Sequence, residues 1–192
     1  MARPREFDTT EVLDRAVDVF WRQGYEATSI ADLTESLGIA RASLYGAFGS
    51  KHDLYVRALQ HYVETRHSAV DLLSRPGPVL PAIRAVLESA VTSRAPGESQ
   101  RGCLITNASA ECEATDWGVR RWVDSSWVEL ETALTSALLR ARAEGELGPQ
   151  AEPRGQARML VVLLQGLRVI DRSGCDNGRC SDAIDTAMSA LA

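Results

Sequence analysis

"SIADLTESLGIARASLYGAFGSK", residues 29–51, is the stretch on which the reading of this chain turns. Ser29 followed three residues later by Asp32 is a capping box, in which a hydroxyl and a carboxylate satisfy amides that the first turn of a helix leaves open. Ile30, Leu33 and Leu37 then recur at helical spacing, and Gly38 is the residue type that ends a helix in a left-handed conformation. Only "GIA" separates this pattern from a third short helix, about Arg41–Phe48, and Ser50 with Asp53 opens the next. Two short helices joined by a short turn carrying glycine form the helix-turn-helix plan, whose second helix enters the major groove of DNA.

The residues of that second helix read as outward-facing. "ARASLYGA" (40–47) is small and polar apart from Leu44 and Tyr45. A core helix carries more large apolar residues, whereas small side chains let a backbone approach a groove floor. Leu44 anchors the helix while Arg41, Ser43 and Tyr45 face outward. From Leu37 to His52 the only charged side chains are Arg41 and Lys51, and Lys51 is the only lysine in the chain. A cationic stretch free of carboxylates is what contact with a polyanion requires. The chain as a whole is acidic, with a formal net charge of −5. That excludes a globally basic nucleic-acid binder and leaves a local basic patch.

Outward from this stretch nearly everything is helical. "TTEVLDRAVDVFWRQG" (9–24) places Val12, Leu13, Ala16, Val17, Phe20 and Trp21 on one stripe, with Thr9 or Thr10 as cap and Gly24 as terminator. A long fourth helix covers 50–73, with Leu54, Ala58, Leu59 and Tyr62 inward, and "RPGP" (75–78) breaks the chain. Helices follow near 79–93, 103–111, 116–144, 155–172 and 181–191, with polar loops at 94–102 and 173–180. The expectation is an all-α protein of about nine helices. "MLVVLLQGLRVI" (159–170) is apolar nearly all round and needs partners on several sides. It is too short for the roughly 20 residues of a membrane span.

Other classes find little support. The start, "MARPREFD", has no apolar stretch of the signal-peptide kind, and four cysteines are too sparse for a secreted disulfide scaffold. The expectation is a cytoplasmic protein without membrane attachment. His52, His61 and His67 lack an H-E-x-x-H pattern, and there is no G-x-S-x-G, P-loop or C-x-x-C. A helical thiol or metal enzyme is therefore disfavoured, and no catalytic residue, metal site or cofactor is expected. A helical adaptor that binds only protein is a weaker third reading, separated from the first by salt-dependent binding to duplex DNA.

"FWRQGYEATSIADLTESLGIARASLYGAFGSKHDLYVRAL" resembles the N-terminal domain of TetR-family transcriptional regulators, closely over residues 7–59. The motifs are the aromatic-x-x-x-Gly-Tyr end of the first helix, Thr-Ser before the second, Gly-Ile before the third, and Leu-Tyr-x-x-Phe-x-Ser-Lys. The resemblance implies a DNA-binding domain at 1–50, a connecting fourth helix at 51–73, and an effector-binding and dimerisation domain across 51–192. It implies a repressor released from a pseudo-palindromic double-stranded operator by a small molecule, acting as a homodimer through its last two helices. Residue by residue it implies phosphate contacts at Thr28 and Lys51, a DNA-binding role for Ser29, a reading set of Arg41, Ala42, Ser43 and Tyr45, and a basic arm at Arg3 and Arg5. Ala40 departs from the usual Ser or Thr cap, Ala47 from a common phosphate-contacting His, and Gly46 is less helix-favouring than the usual residue.

For the effector, the residues offer polar groups set among apolar helices: Cys103, Asn107, Glu111, Trp122, Trp127, Gln165 and Arg168. Cys103 follows Gly102 at a helix start beside Arg101, a position that favours thiolate. "RGCL" resembles a TetR subgroup in which this cysteine senses electrophiles or oxidants, which makes a thiol sensor the alternative reading. "CDNGRC" (175–180) lacks zinc-type spacing, and its loop location permits a local disulfide or a soft metal. Leu163 and Leu167 are the positions where a charge is expected to break a dimer.

Overall fold

The computed structural model describes residues 7–66, 68–91, 101–113, 115–173 and 177–191. Every regular element among them is helical. The first four are α1 (Thr9–Gln23), α2 (Ile30–Leu37), α3 (Arg41–Phe48) and α4 (Lys51–Thr65). Then come α5 (Ser68–Ser74), α6 (Val79–Glu88) with a 3-10 turn (Ser89–Val91), and α7 (Leu104–Glu111). The last are α8 (Trp117–Ala143), α9 (Pro153–Arg172) and α10 (Asn177–Leu191). The all-α architecture is as expected, with one more helix because the fourth is divided. Arg66 leaves helical geometry at φ −129°, ψ 77°, and its guanidinium lies 4.6 Å from the Trp21 ring centroid and 5.3 Å from that of Tyr62. The last helix begins at Asn177 rather than 181 and takes in part of the expected loop.

The helices form two compact units. One is Met1–Arg66 with Cys103–Val123; the other is His67–Gly102 with Asp124–Ala192. Packing thus groups α4, α7 and the start of α8 with the first three helices, a different division from a break at residue 50. In the first unit α1 packs on α4 and α2, burying Val12, Ala16, Val17, Val19 and Phe20. Its cap is Asp8, whose carboxylate accepts from the Thr10 amide at 2.8 Å, and not Thr9 or Thr10. Gly24 closes it at φ +83°.

The second unit has a core of Leu73, Ile83, Leu87, Leu134, Leu138, Leu160, Leu164 and Ile184, among others. Its α6 is preceded by Pro78 at the cap position, which has no capping side chain. Glu146, far along the chain, takes that role: its carboxylate accepts from the amides of Val79 (2.9 Å) and Leu80 (3.0 Å). A negative charge at a helix N-terminus also complements the dipole.

Candidate nucleic-acid interface

Helices α2 and α3 are set by local rules. Ser29 and Asp32 form the full capping box: the Asp32 amide donates to Ser29 Oγ at 3.1 Å, and the Ser29 amide donates to Asp32 Oδ2 at 2.8 Å. The Ser29 hydroxyl, which donates to the Asp32 carboxylate, and then the Ser29 amide hold the Asp32 carboxyl below the usual carboxylate range. Gly38 adopts φ +67°, ψ 26°, the left-handed geometry in which a side chain is strained, and turns the chain into α3. Ala40 makes no capping bond, as its side chain dictates, which leaves α3 about 1 kcal/mol short of a capped helix.

Leu44 and Phe48 bury one side of α3. Phe48 stacks on Phe7, and Arg57 lies 5.6 Å over its ring. Arg57 also donates to the Ala47 carbonyl, at 3.4 Å, near the end of α3. With that side fixed, Arg41, Ala42, Tyr45 and Gly46 are exposed and Ser43 is half-buried. Arg41 lies 5.6 Å from the Tyr45 ring centroid. A Cβ on Gly46 would meet nothing within 4 Å, so the fold itself does not require a glycine there.

Lys51 is the first residue of α4. Its ammonium stands 4.4 Å from the Tyr25 ring centroid and 3.5 Å from the Glu26 carbonyl oxygen. Tyr25 is in turn wedged against Phe20, Tyr55 and His52. The Tyr25 amide donates to Glu111 Oε2 at 2.9 Å, and His52 Nε2 lies 2.8 Å from Asp116 Oδ2. A cavity of about 280 Å³ lies beside these groups, lined by Tyr25, Glu26, His52, Glu111, Cys112 and Asp116, among others. Burial and the carboxylates of Asp116 and Glu111 push the Cys112 thiol up to about 11. The base under Lys51 is therefore built by long-range pairs, Tyr25 with Glu111 and His52 with Asp116, which spacing in the sequence does not signal.

Two DNA-binding candidates, Thr28 and Ser29, make local hydrogen bonds. Thr28 is buried, and its hydroxyl donates to the Gly24 carbonyl at 2.6 Å, so that hydroxyl braces the α1–α2 turn. Ser29 is exposed, but its hydroxyl donates to Asp32 Oδ2 at 2.7 Å and accepts from the Asp32 amide. Arg3 and Arg5 lie outside the described residues, as does Cys175.

The effector candidates are divided between the two units. Cys103, Asn107, Glu111 and Trp122 belong to the first unit; Trp127, Gln165 and Arg168 belong to the second. Glu111 is engaged with Tyr25, and Arg168 donates to Gln165 Oε1 at 3.3 Å. Cys103 is buried as the first-turn cap residue of α7, and its sulfur accepts from the Tyr62 hydroxyl at 3.7 Å. Cys180 is buried on α10, not a loop residue. No group of three or more metal-ligating side chains occurs among the described residues, and no described helix is long and apolar enough to cross a membrane.

A left-handed glycine turn between two short helices, an outward second helix free of carboxylates, and a cation at the start of the next helix define a helix-turn-helix DNA-binding regulator. Residues 12–58 match the family described as bacterial regulatory proteins, tetR family, and residues 79–187 match the tetracyclin repressor-like C-terminal domain. The chain belongs to the TetR family and is a transcriptional regulator, not an enzyme. It is 38% identical to the uncharacterized HTH-type transcriptional regulator YezE of Bacillus subtilis, over the whole of both chains. It is 29% identical to the HTH-type transcriptional repressor ComR of Escherichia coli, over 90% of this chain and 83% of that one. Among solved structures, a cysteine-substituted form of the TetR regulator CifR in complex with 26-bp double-strand operator DNA is 30% identical. It superposes with a TM-score of 0.80 over 99% of this chain and 100% of that one.

Proposed function

We propose that this regulator is a homodimeric repressor that holds a pseudo-palindromic operator through α3 and is released by a small-molecule effector. The observation that carries the reading is the cleared face of α3, with Arg41, Ala42, Ser43 and Tyr45 turned outward beside the pre-set Lys51 ammonium. Arg41 and Tyr45 read base edges. Lys51 and the first-turn amides of Ile30 and Ala31 bind backbone phosphate, because helix N-termini favour anions. Arg3 and Arg5 extend the contact into the minor groove. The DNA-reading part and the effector and dimerisation part divide functionally near residue 50, with α4 as the link. CifR bound to operator DNA, and ComR as a repressor, support the reading by likeness.

Dimerisation is supported by α9. Ala157, Leu160, Leu164 and Leu167 face the core, yet Met159, Val162, Val169 and Ile170 stand exposed on the other side. Val162 is the most exposed of them, at 72%, and apolar side chains grouped on one exposed face mark interaction surfaces. Leu167 is buried in its own core and Leu163 packs against that core, so neither is a clean target for breaking a dimer. A charge at Val162 is the better one.

The test is selection of bound duplexes from a random pool, followed by light scattering of the complex. The expected result is a palindromic site whose half-sites are about one helical turn apart, roughly 34–36 Å, bound by two copies. Failure to enrich any sequence rejects the DNA-reading assignment.

A second reading, a thiol sensor acting through Cys103, has one favouring observation. Cys103 heads α7, whose far end, Glu111, holds the Tyr25 amide beneath Lys51. Oxidant release of operator DNA that persists in Cys103→Ser rejects it.

A further inference from the structure

The second unit contains a groove that none of the effector candidates lines. It has a volume of about 440 Å³ and is bordered by Val70, Leu73, Ser136, Ala137 and Arg140, among others. The space arises from the two-sided composition of α8. Leu130, Leu134 and Leu138 fill the core. The groove side carries Thr132, Ala133, Ser136 and Ala137, too small to fill the space opposite Val70 and Leu73. A volume of this order falls in the range that takes small-molecule ligands.

One end of the groove is cationic. Arg140 Nη2 donates to the carbonyls of Leu73 (3.1 Å) and Arg75 (3.2 Å), while its Nε–H is buried without an acceptor. No carboxylate pairs with this guanidinium among the described residues. Half-burying an arginine with carbonyls alone leaves its charge uncompensated, an arrangement that an anion would relieve. Ser136 is one helical turn from Arg140 on the same face of α8, and its hydroxyl makes no hydrogen bond to another described residue. Glu129 also lines the groove, about 16 Å away from Arg140 along the helix, and has an interaction of its own.

The geometry points to an effector site for a small amphipathic monocarboxylate, its carboxylate held by Arg140 and Ser136 and its apolar tail lying over Leu73, Ala133 and Ala137. This rests on the effector reading above and adds the ligand class and the site. A guanidinium with an adjacent hydroxyl offers a carboxylate charge-assisted donors, and the small residues of α8 leave the width a tail needs.

The test uses octanoate and its neutral counterpart octanamide as probes, with binding to the full chain measured by calorimetry. Wild type is expected to bind octanoate at least about ten-fold more tightly than octanamide, the factor expected of a hydrogen bond to a charged group. Ala133→Trp fills the groove and abolishes octanoate binding; Ser136→Ala weakens it several-fold. Arg140→Gln removes the preference for carboxylate. Because Arg140 also holds the end of α5, that variant is read only beside the other two. Equal affinity for the two probes, no binding of either, or octanoate binding that survives Ala133→Trp overturns the proposal. An operator-release assay separates the two ideas. Octanoate that binds without releasing DNA sinks the release reading alone, and release by another compound from a protein blind to octanoate sinks this site alone.

Discussion

Replacing Lys51 by Ala isolates one backbone contact. The ammonium sits over Tyr25 and against the Glu26 carbonyl, so it is already positioned in the free protein. Each phosphate neutralised contributes about 0.9 to the slope of log affinity against log salt. Two copies in a dimer make the change about 1.8. Between about 50 and 200 mM salt, wild type should therefore lose roughly 12-fold more affinity than the variant. The loss should be nearly the same on operator and random duplexes, since phosphate contacts carry no base information. Arg41→Ala should differ: operator affinity falls by about 1–3 kcal/mol while random DNA is affected less. Removing the cation from the Tyr25 ring costs only about 0.5–1 kcal/mol of stability, because Lys51 is half-exposed. Circular dichroism melts should show a folded variant. Fluorescence anisotropy titrations at a series of salt concentrations give the slopes. A folded Lys51→Ala protein with an unchanged slope refutes the assignment and makes this lysine a solvated helix end.

Val162→Glu should give monomers by light scattering while leaving helical content intact, whereas Leu167→Glu should unfold the second unit. Glu146→Ala leaves the first amides of α6 without their acceptor and should cost about 2 kcal/mol in urea unfolding; an unchanged midpoint would mean that water replaces the cap at no cost. Asp32 has its carboxyl lowered by the Ser29 bonds, so the stability it contributes is present above the unfolded carboxylate value and is lost as pH falls through the folded one. Asp32→Asn should accordingly flatten the acid side of the stability profile, and urea melts between about pH 7 and pH 2.5 would reveal it.

The stretch 29–51 was legible because its structure follows from neighbours three and four residues apart. The Ser29–Asp32 box, the left-handed Gly38, the uncapped Ala40 and the burial of Leu44 with Arg41 and Tyr45 outward are all short-range consequences of the residues themselves. Tertiary structure decided what depends on distant partners. Periodicity does not reveal that Thr28 is covered by the core, or that Arg66 leaves the helix to sit over Trp21, forty-five positions away. Nor does it reveal that Glu111 and Asp116 build the support beneath Lys51 from residues more than sixty positions away. Glu146 caps α6 for the same reason: a carboxylate finds an orphan amide through folding and not through spacing. The two faces of α9 and the groove of α8 lie between these cases. The pattern of large and small residues is visible in the chain. Which side meets the core, and which stays exposed, is settled only when the helices pack.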